Sequence, residues 1–339
     1  MAVQILLLGV FGALLAFDAP TISTNVVVQE PTVSTNVPDR NDPVEKAYRK
    51  LMEDDDDAQD EAQKWIKAAR EASNRGDKGP SDTLSYRLHA RFEPVRNAYA
   101  EFLAAHPKHA RGHIAFGSFL NDIGEEDAAV EEWEKAKEAD PGIPSTWNNL
   151  ANYYGHRGPV RKAFRYYEKA IELDPRESVY YWNMATTVYL FRKDAMELYD
   201  LDETKVFDKA LALYRKAIKM DPTNFVLASD YANSFYGTKP PRWKDGLEAW
   251  EEAMKVAPTD VEREGIRLHY ARTKIRLGRF DEAEAELNCV TNSPYLSLKK
   301  NLRRNLDEAR AKATNGPVAA PAPVAATDPA PAAGPTIQK

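Results

Sequence analysis

The sequence predicts an all-α solenoid of stacked antiparallel helix pairs. Three observations carry that prediction. Pro107, Pro141 and Pro175 recur at intervals of 34 residues; an aromatic stands at a fixed distance before each, with small residues at fixed distances before Pro141 and Pro175; and the apolar residues between them follow the helical period. One proline per unit of this length fits two helices that cannot bury their apolar faces alone and so must stack on their neighbours.

The two regular units superimpose without a gap. Before Pro141 stand Ala136, Trp133, Ala129, Gly124, Leu120, Gly117, Phe116 and His113; before Pro175 stand Ala170, Tyr167, Ala163, Gly158, Tyr154, Ala151, Leu150 and Trp147. Trp147, Leu150, Ala151 and Tyr154 make one apolar face at i, i+3, i+4 and i+7. Ala151, Ala163 and Ala170 are the positions where backbones must approach, so a larger side chain there would overpack by roughly 1–3 kcal/mol. Asp140, Asp174 and Asp221 each precede a proline and end a second helix, and Ser145 and Ser178 are placed to cap the helices that follow.

Later units keep the signals but lengthen. Pro175 to Pro222 spans 47 residues, with Tyr181, Met184 and Ala185 on the first helix and Phe207, Ala210, Tyr214 and Ala217 on the second, so 13 extra residues fall at about 193–205 and should lengthen the first helix and fold back. Pro258 closes the next unit, in which Tyr231, Ala232 and Phe235 are joined to Gly246, Trp250 and Ala253 through Gly237 to Pro241. A sixth, fading unit holds Tyr270, Ala271, Gly278, Ala283 and Leu287. Upstream, Tyr99 and Pro107 mark a divergent first unit without an obvious partner helix.

These residues resemble the tetratricopeptide repeat family, whose W-x2-L-G-x2-Y, A-x3-F-x2-A and closing P are matched by Trp147-Leu150-Ala151-Tyr154, Ala163-Tyr167-Ala170 and Pro175. The resemblance implies a right-handed superhelix of five to six units over residues 81–311, with a capping helix at its C-terminal end. It also implies a concave groove lined by the first helix of each unit. Carried over slot by slot, that groove would show Arg111, Ile114, Ser118 and Asn121, then Asn148, Asn152 and His156. Trp182, Thr186 and Tyr189 follow, then Ser229, Asn233 and Tyr236, and last Leu268 and Arg272. Asparagine suits the task because one amide both donates to and accepts from a peptide backbone, and the aromatics would add anchors. Family members that grip a partner's C-terminal carboxylate use lysines here, and this chain has none in the central slots.

The flanks read differently. Residues 1–17 carry a dense apolar run of signal-peptide length, too short for a transmembrane helix, with no lysine or arginine ahead of it. Export to the periplasm or envelope is the expectation, an uncleaved anchor the alternative; no cysteine is placed for a lipid anchor. Residues 18–41, with Ser-Thr-Asn-Val twice, read as an extended tether, and 312–339, mostly Ala and Pro, as a disordered tail. Residues 42–80 form an acidic helical segment opened by Asp42 and Pro43, in which Glu53 to Asp57 read as a solvated helix start rather than a calcium loop.

Charge and motifs narrow the function. A net charge of −6 offers no footprint for nucleic acid. There is no phosphate loop, nucleophile elbow or zinc-protease helix, so no enzyme and no cofactor are expected. His89, His106, His109 and His113 cluster in sequence, but His113 stands in the slot that Trp147 fills one unit later and no cysteine or nearby carboxylate is expected to complete a metal set. Cys289, the single cysteine, reads as a small buried residue between Leu287 and Val290. The leading expectation is a non-enzymatic scaffold that holds a peptide or protein in the groove. The rival is a structural subunit packing laterally in an envelope assembly; metal or small-molecule binding near His106 to His113 is a third.

Overall fold

The computed structural model describes residues 41–75 and 81–315, which form fourteen α-helices and two short 3-10 turns and contain no strand. The expected signal segment, most of the tether and the tail beyond Asn315 lie outside these residues. α1 (Pro43–Asn74) and α2 (Ser81–Ala105) form the first pair, followed by α3 (Ala110–Asp122) with α4 (Glu126–Ala139) and α5 (Pro144–Arg157) with α6 (Val160–Leu173). Next come α7 (Ser178–Leu190), α8 (Arg192–Tyr199) and α9 (Glu203–Met220); then α10 (Phe225–Ser234) with α11 (Trp243–Val256), α12 (Asp260–Arg276) with α13 (Phe280–Asn288), and α14 (Leu296–Asn315) as the closing helix. Helix therefore continues four residues past the boundary expected at 311.

The repeat positions explain the stacking. Counting back from each closing proline, Ala129, Ala163 and Ala210 are wholly buried, as are Ala136, Ala170, Ala217 and Ala253. Between them the bulky slot takes Trp133, Tyr167, Tyr214 and Trp250, each at most 2% exposed. Small residues let the two helices of a unit approach, and the aromatic fills the wedge between them. At Gly117 a β-carbon would stand 2.4 Å from the Trp133 indole nitrogen, so this position takes glycine, whereas the same slot holds alanine at Ala151 and Ala185 beside a Tyr wedge and at Ala232 beside Trp250.

Each second helix packs on the following first helix, and successive first helices pack on one another more closely than successive second helices do. The stack must therefore curve with its first-helix layer on the inside.

A side chain six residues after each of the first three closing prolines ties the loop to the new helix. His113 Nε2 lies 3.1 Å from the Pro107 carbonyl, Trp147 Nε1 donates to that of Pro141 at 2.8 Å, and the Tyr181 hydroxyl to that of Pro175 at 3.2 Å. Three side-chain chemistries thus serve one role. The fourth instance, Ala228, has no side-chain donor.

Several expectations need correcting. α5 starts at Pro144 with Ile143 at the cap position, and α7 is capped by the Glu177 carboxylate accepting from Val179 N, so neither Ser145 nor Ser178 caps. Proline already supplies the helical φ at the first position, which makes a side-chain cap dispensable there. Asp42 does cap α1, accepting from Val44 N at 2.7 Å.

The acidic run lies in the middle of that 32-residue helix, not at its start, and Asp55 is buried, accepting from the Tyr99 hydroxyl at 2.6 Å. Burial raises the Asp55 carboxyl to about 6, against the lowering effect of that bond. α1 is thereby the missing partner of α2.

The 13-residue insertion does not lengthen α7 but breaks from it at Phe191 and forms α8, closed by Asp200 in the left-handed region at φ 52°. α8 folds onto the second-helix layer: Tyr199 donates to Glu168 at 2.8 Å, and Ala195 is fully buried. Cys289 is exposed, because it sits just past the end of α13 while Leu287 and Val290 take the buried positions.

Candidate partner-binding face

The first-helix layer carries a polar ladder in register with the prolines. Seven residues after each closing proline stand Asn148, Trp182 and Ser229; eight after, Asn149, Asn183 and Asp230; eleven after, Asn152, Thr186 and Asn233. The residue in the second slot reaches back to the first slot of the preceding unit. Asn183 Nδ2 donates to Asn148 Oδ1 at 3.1 Å, and Trp182 Nε1 donates to Asp230 Oδ2 at 2.9 Å.

The third slot bonds within its own unit to the wedge aromatic. The Tyr167 hydroxyl donates to Asn152 Oδ1 at 2.7 Å, and Thr186 Oγ1 and the Tyr214 hydroxyl are 2.8 Å apart.

Where this register meets an apolar or mismatched neighbour, polar atoms are left over. Asn149 falls opposite Ile114 and Ser229 opposite Ile266, and both Asn149 polar atoms and Ser229 Oγ have no partner within the chain. In the α10/α11 unit the wedge holds Trp250 rather than tyrosine, and Trp250 Nε1 and Asn233 Oδ1 are both unpartnered. Asn148 Nδ2, Asn152 Nδ2 and Asn183 Oδ1 join them. An unmade bond of this kind costs about 1–3 kcal/mol, so the layer holds an uncommon concentration of unused hydrogen-bonding capacity.

The residues expected in the groove divide by exposure. Asn148 and Thr186 are fully enclosed and Trp182 is 4% exposed, because successive first helices meet at these slots. Tyr189 is also buried, with its hydroxyl against Gly237, where a β-carbon would stand 2.2 Å away. Asn152 keeps 6% exposure, while Ser229, Asn233, Tyr236 and Arg272 are partly exposed. These last four form the open section. The Tyr236 hydroxyl is 2.9 Å from His269 Nδ1, and the Arg272 guanidinium lies 5.4 Å from the Tyr236 ring centre. His269, stacked on Trp250 at 3.9 Å, is pushed down to about 3 by burial and then by the Arg272 charge, so it is neutral.

The second slot escaped the sequence reading altogether. Asn149 and Asn183 are related by the 34-residue repeat, and Asp230 follows by the 47-residue one, so register arithmetic would have found them. Asp230 is the unusual member. It is 7% exposed, only Trp182 donates to it, and among the described residues no lysine, arginine or histidine pairs with it. Burial raises its carboxyl from the ordinary 3.8 to about 7, the Trp182 bond opposing.

The histidines serve structure. His109 caps α3 by accepting from Gly112 N at 2.9 Å, and His89 is exposed. Glu132, distant in sequence, lies 2.6 Å from His113 Nδ1. With the Pro107 carbonyl on the other ring nitrogen, the ring faces two acceptors and closes a loop-to-helix tie rather than offering a free nitrogen to a metal. Replacing His113 by Ala should lower stability by about 1–3 kcal/mol without changing the metal content of untagged protein, measured by denaturant melts and elemental analysis. Stoichiometric metal that His113→Ala abolishes would contradict this assignment.

Helix pairs built on a 34-residue register, with small-residue contacts and, in four of them, a wedge aromatic, define a class of repeat solenoid. Residues 144–177 match the tetratricopeptide repeat model, so the chain contains a tetratricopeptide repeat. It is 28% identical over 128 residues to the photosystem I assembly protein Ycf3 of Cyanophora paradoxa, a span of 37% of this chain and 74% of that one. Among solved structures it is similar to PilF of Pseudomonas aeruginosa, at TM-score 0.48 and 16% identity over 76% of this chain and 99% of that one. It is also similar to YrrB, a TPR protein with an unusual peptide-binding site, at TM-score 0.47 and 14% identity over 62% and 99% of the respective chains. Proteins of this class generally mediate protein–protein interaction and are non-enzymatic scaffolds.

Proposed function

We propose that this protein binds an extended peptide segment of a partner along its first-helix face, with the open section formed by Ser229, Asn233, Tyr236 and Arg272 as the contact region. The observation that carries the reading is the pair Ser229 Oγ and Asn233 Oδ1 on α10, polar atoms of partly exposed residues that make no bond within the chain and that a peptide backbone, donor and acceptor in every residue, is chemically suited to satisfy. The curvature of the stack supports it, because the closer-packed first-helix layer lies inside the curve. In this reading the partner belongs to an assembly process outside the cytoplasm. The similarity to an assembly protein supports the first part and the apolar run at 2–17 the second; fractionation that leaves the protein in the cytoplasm would remove the second.

The test uses Ser229→Ala combined with Asn233→Ala, since Ser229 Oγ and Asn233 Oδ1 make no bond within the chain. Melting should be unchanged or raised, while affinity for a degenerate decapeptide pool should fall about 5- to 30-fold, the equivalent of one to two lost hydrogen bonds at about 1 kcal/mol each. Unaltered affinity would sink the reading. Asn148 is unsuited to this test, because its loss would strip Asn183 of its partner and unsettle the fold.

A further inference from the structure

Asp230 carries a charge that the fold does not need. The slot it occupies is filled by asparagine in the two preceding units, Asn149 and Asn183. Its one structural task is to accept from Trp182 Nε1, and an amide oxygen accepts that hydrogen equally well. A buried carboxylate with no cation is costly, whereas the neutral amide in the same position is not.

Trp182 Nε1 can only donate, so the Asp230 carboxylate is fixed as an acceptor, and unpartnered Asn233 Oδ1, also an acceptor, stands three residues on along the same face of the helix. On α5 the sense is opposite: the Tyr167 hydroxyl bond fixes Asn152 Oδ1 as acceptor and leaves Nδ2 as a spare donor. Two acceptors on one face of α10, one of them a carboxylate, suit a cation.

Resting on the peptide-binding reading above, we infer that Asp230 receives a lysine or arginine side chain of the segment held on the first-helix face. The incoming cation would compensate the buried carboxylate, and Asn233 Oδ1 would accept one of its remaining N–H groups. This predicts a partner motif with one basic residue flanked by uncharged ones, in contrast to the acidic segments that lysine-lined grooves favour.

The test titrates N-acetylated decapeptide pools, degenerate except for one fixed central residue, against the full chain and Asp230→Asn. The pools with fixed lysine or arginine should bind the native protein about tenfold or more tightly than the pool with fixed norleucine, as a close interfacial charge pair does. Asp230→Asn should abolish that difference, and the better of the two basic pools names the residue. Equal binding of basic and norleucine pools, or discrimination that survives in Asp230→Asn, overturns the inference and leaves the peptide-binding reading standing. If no pool binds, the peptide-binding reading itself fails, and the inference with it.

Discussion

Asp230→Asn should stabilise the protein at pH 8 by about 2–4 kcal/mol and leave its stability at pH 4 unchanged. The carboxyl is raised from 3.8 to about 7 in the folded chain, so the folded form binds more protons than the unfolded form between those values. The sign follows: the stability this group contributes is present below about pH 4 and is lost as pH rises toward 7. At about 1.4 kcal/mol per pH unit, the native protein is disfavoured at pH 8 by on the order of 4 kcal/mol. The amide avoids that penalty but leaves its own NH2 group unpartnered, which trims the gain. Denaturant melts of both proteins at pH 4, 6 and 8 check it; parallel pH profiles would show that the carboxylate is not disfavoured by the fold.

Trp133→Ala should cost about 3–5 kcal/mol, the range for emptying a large buried aromatic site. Trp133 is 1% exposed, fills the wedge between α3 and α4, and donates to the Ile114 carbonyl at 3.3 Å. In a solenoid the loss should be local, so hydrogen exchange should accelerate in α3, α4 and the helices touching them before it does in α12 to α14. Gly117→Ala in the native background should cost about 1–3 kcal/mol by overpacking. In Trp133→Ala, where the indole that crowds the new β-carbon is gone, the same change should cost nothing or gain stability. The double-mutant cycle reads this as a coupling of about 1–3 kcal/mol; additivity would show that the two residues do not share the site.

The repeating part of the fold was legible because its signals are local and periodic. A proline, three small residues and an aromatic per 34 residues place the contacts between helices, and Ala163, Tyr167 and Ala170 are fully buried in consequence. The rest depends on long-range partners that leave no period in the sequence. The pairing of α1 with α2 rests on Asp55 meeting Tyr99, 44 residues away, through an aspartate that composition assigns to solvent. α8 breaks from α7 because Tyr199 finds Glu168 across the second-helix layer. The cap positions were misread because Pro144 at the first helical position removes the need for a side-chain oxygen.

The candidate face was half legible. Slots carried over from the family gave Ser229, Asn233, Tyr236 and Arg272, which are partly exposed, together with Asn148 and Thr186, which the contact between first helices encloses. The adjacent slot was passed over, although the register supplies Asn149, Asn183 and Asp230 by counting alone. What counting cannot supply is the direction of each bond. That Trp182 donates back to Asp230, and that no cation joins them, is a fact of packing.

The most direct measurement is the titration of the Asp230 carboxyl by side-chain carbon NMR, in the free protein and with the fixed-lysine pool bound. A value near 7 in the free chain that falls to the ordinary carboxylate range on binding is the predicted result, because a docked cation favours the ionised form. A free value near 3.8, or one that bound peptide does not move, would contradict the account.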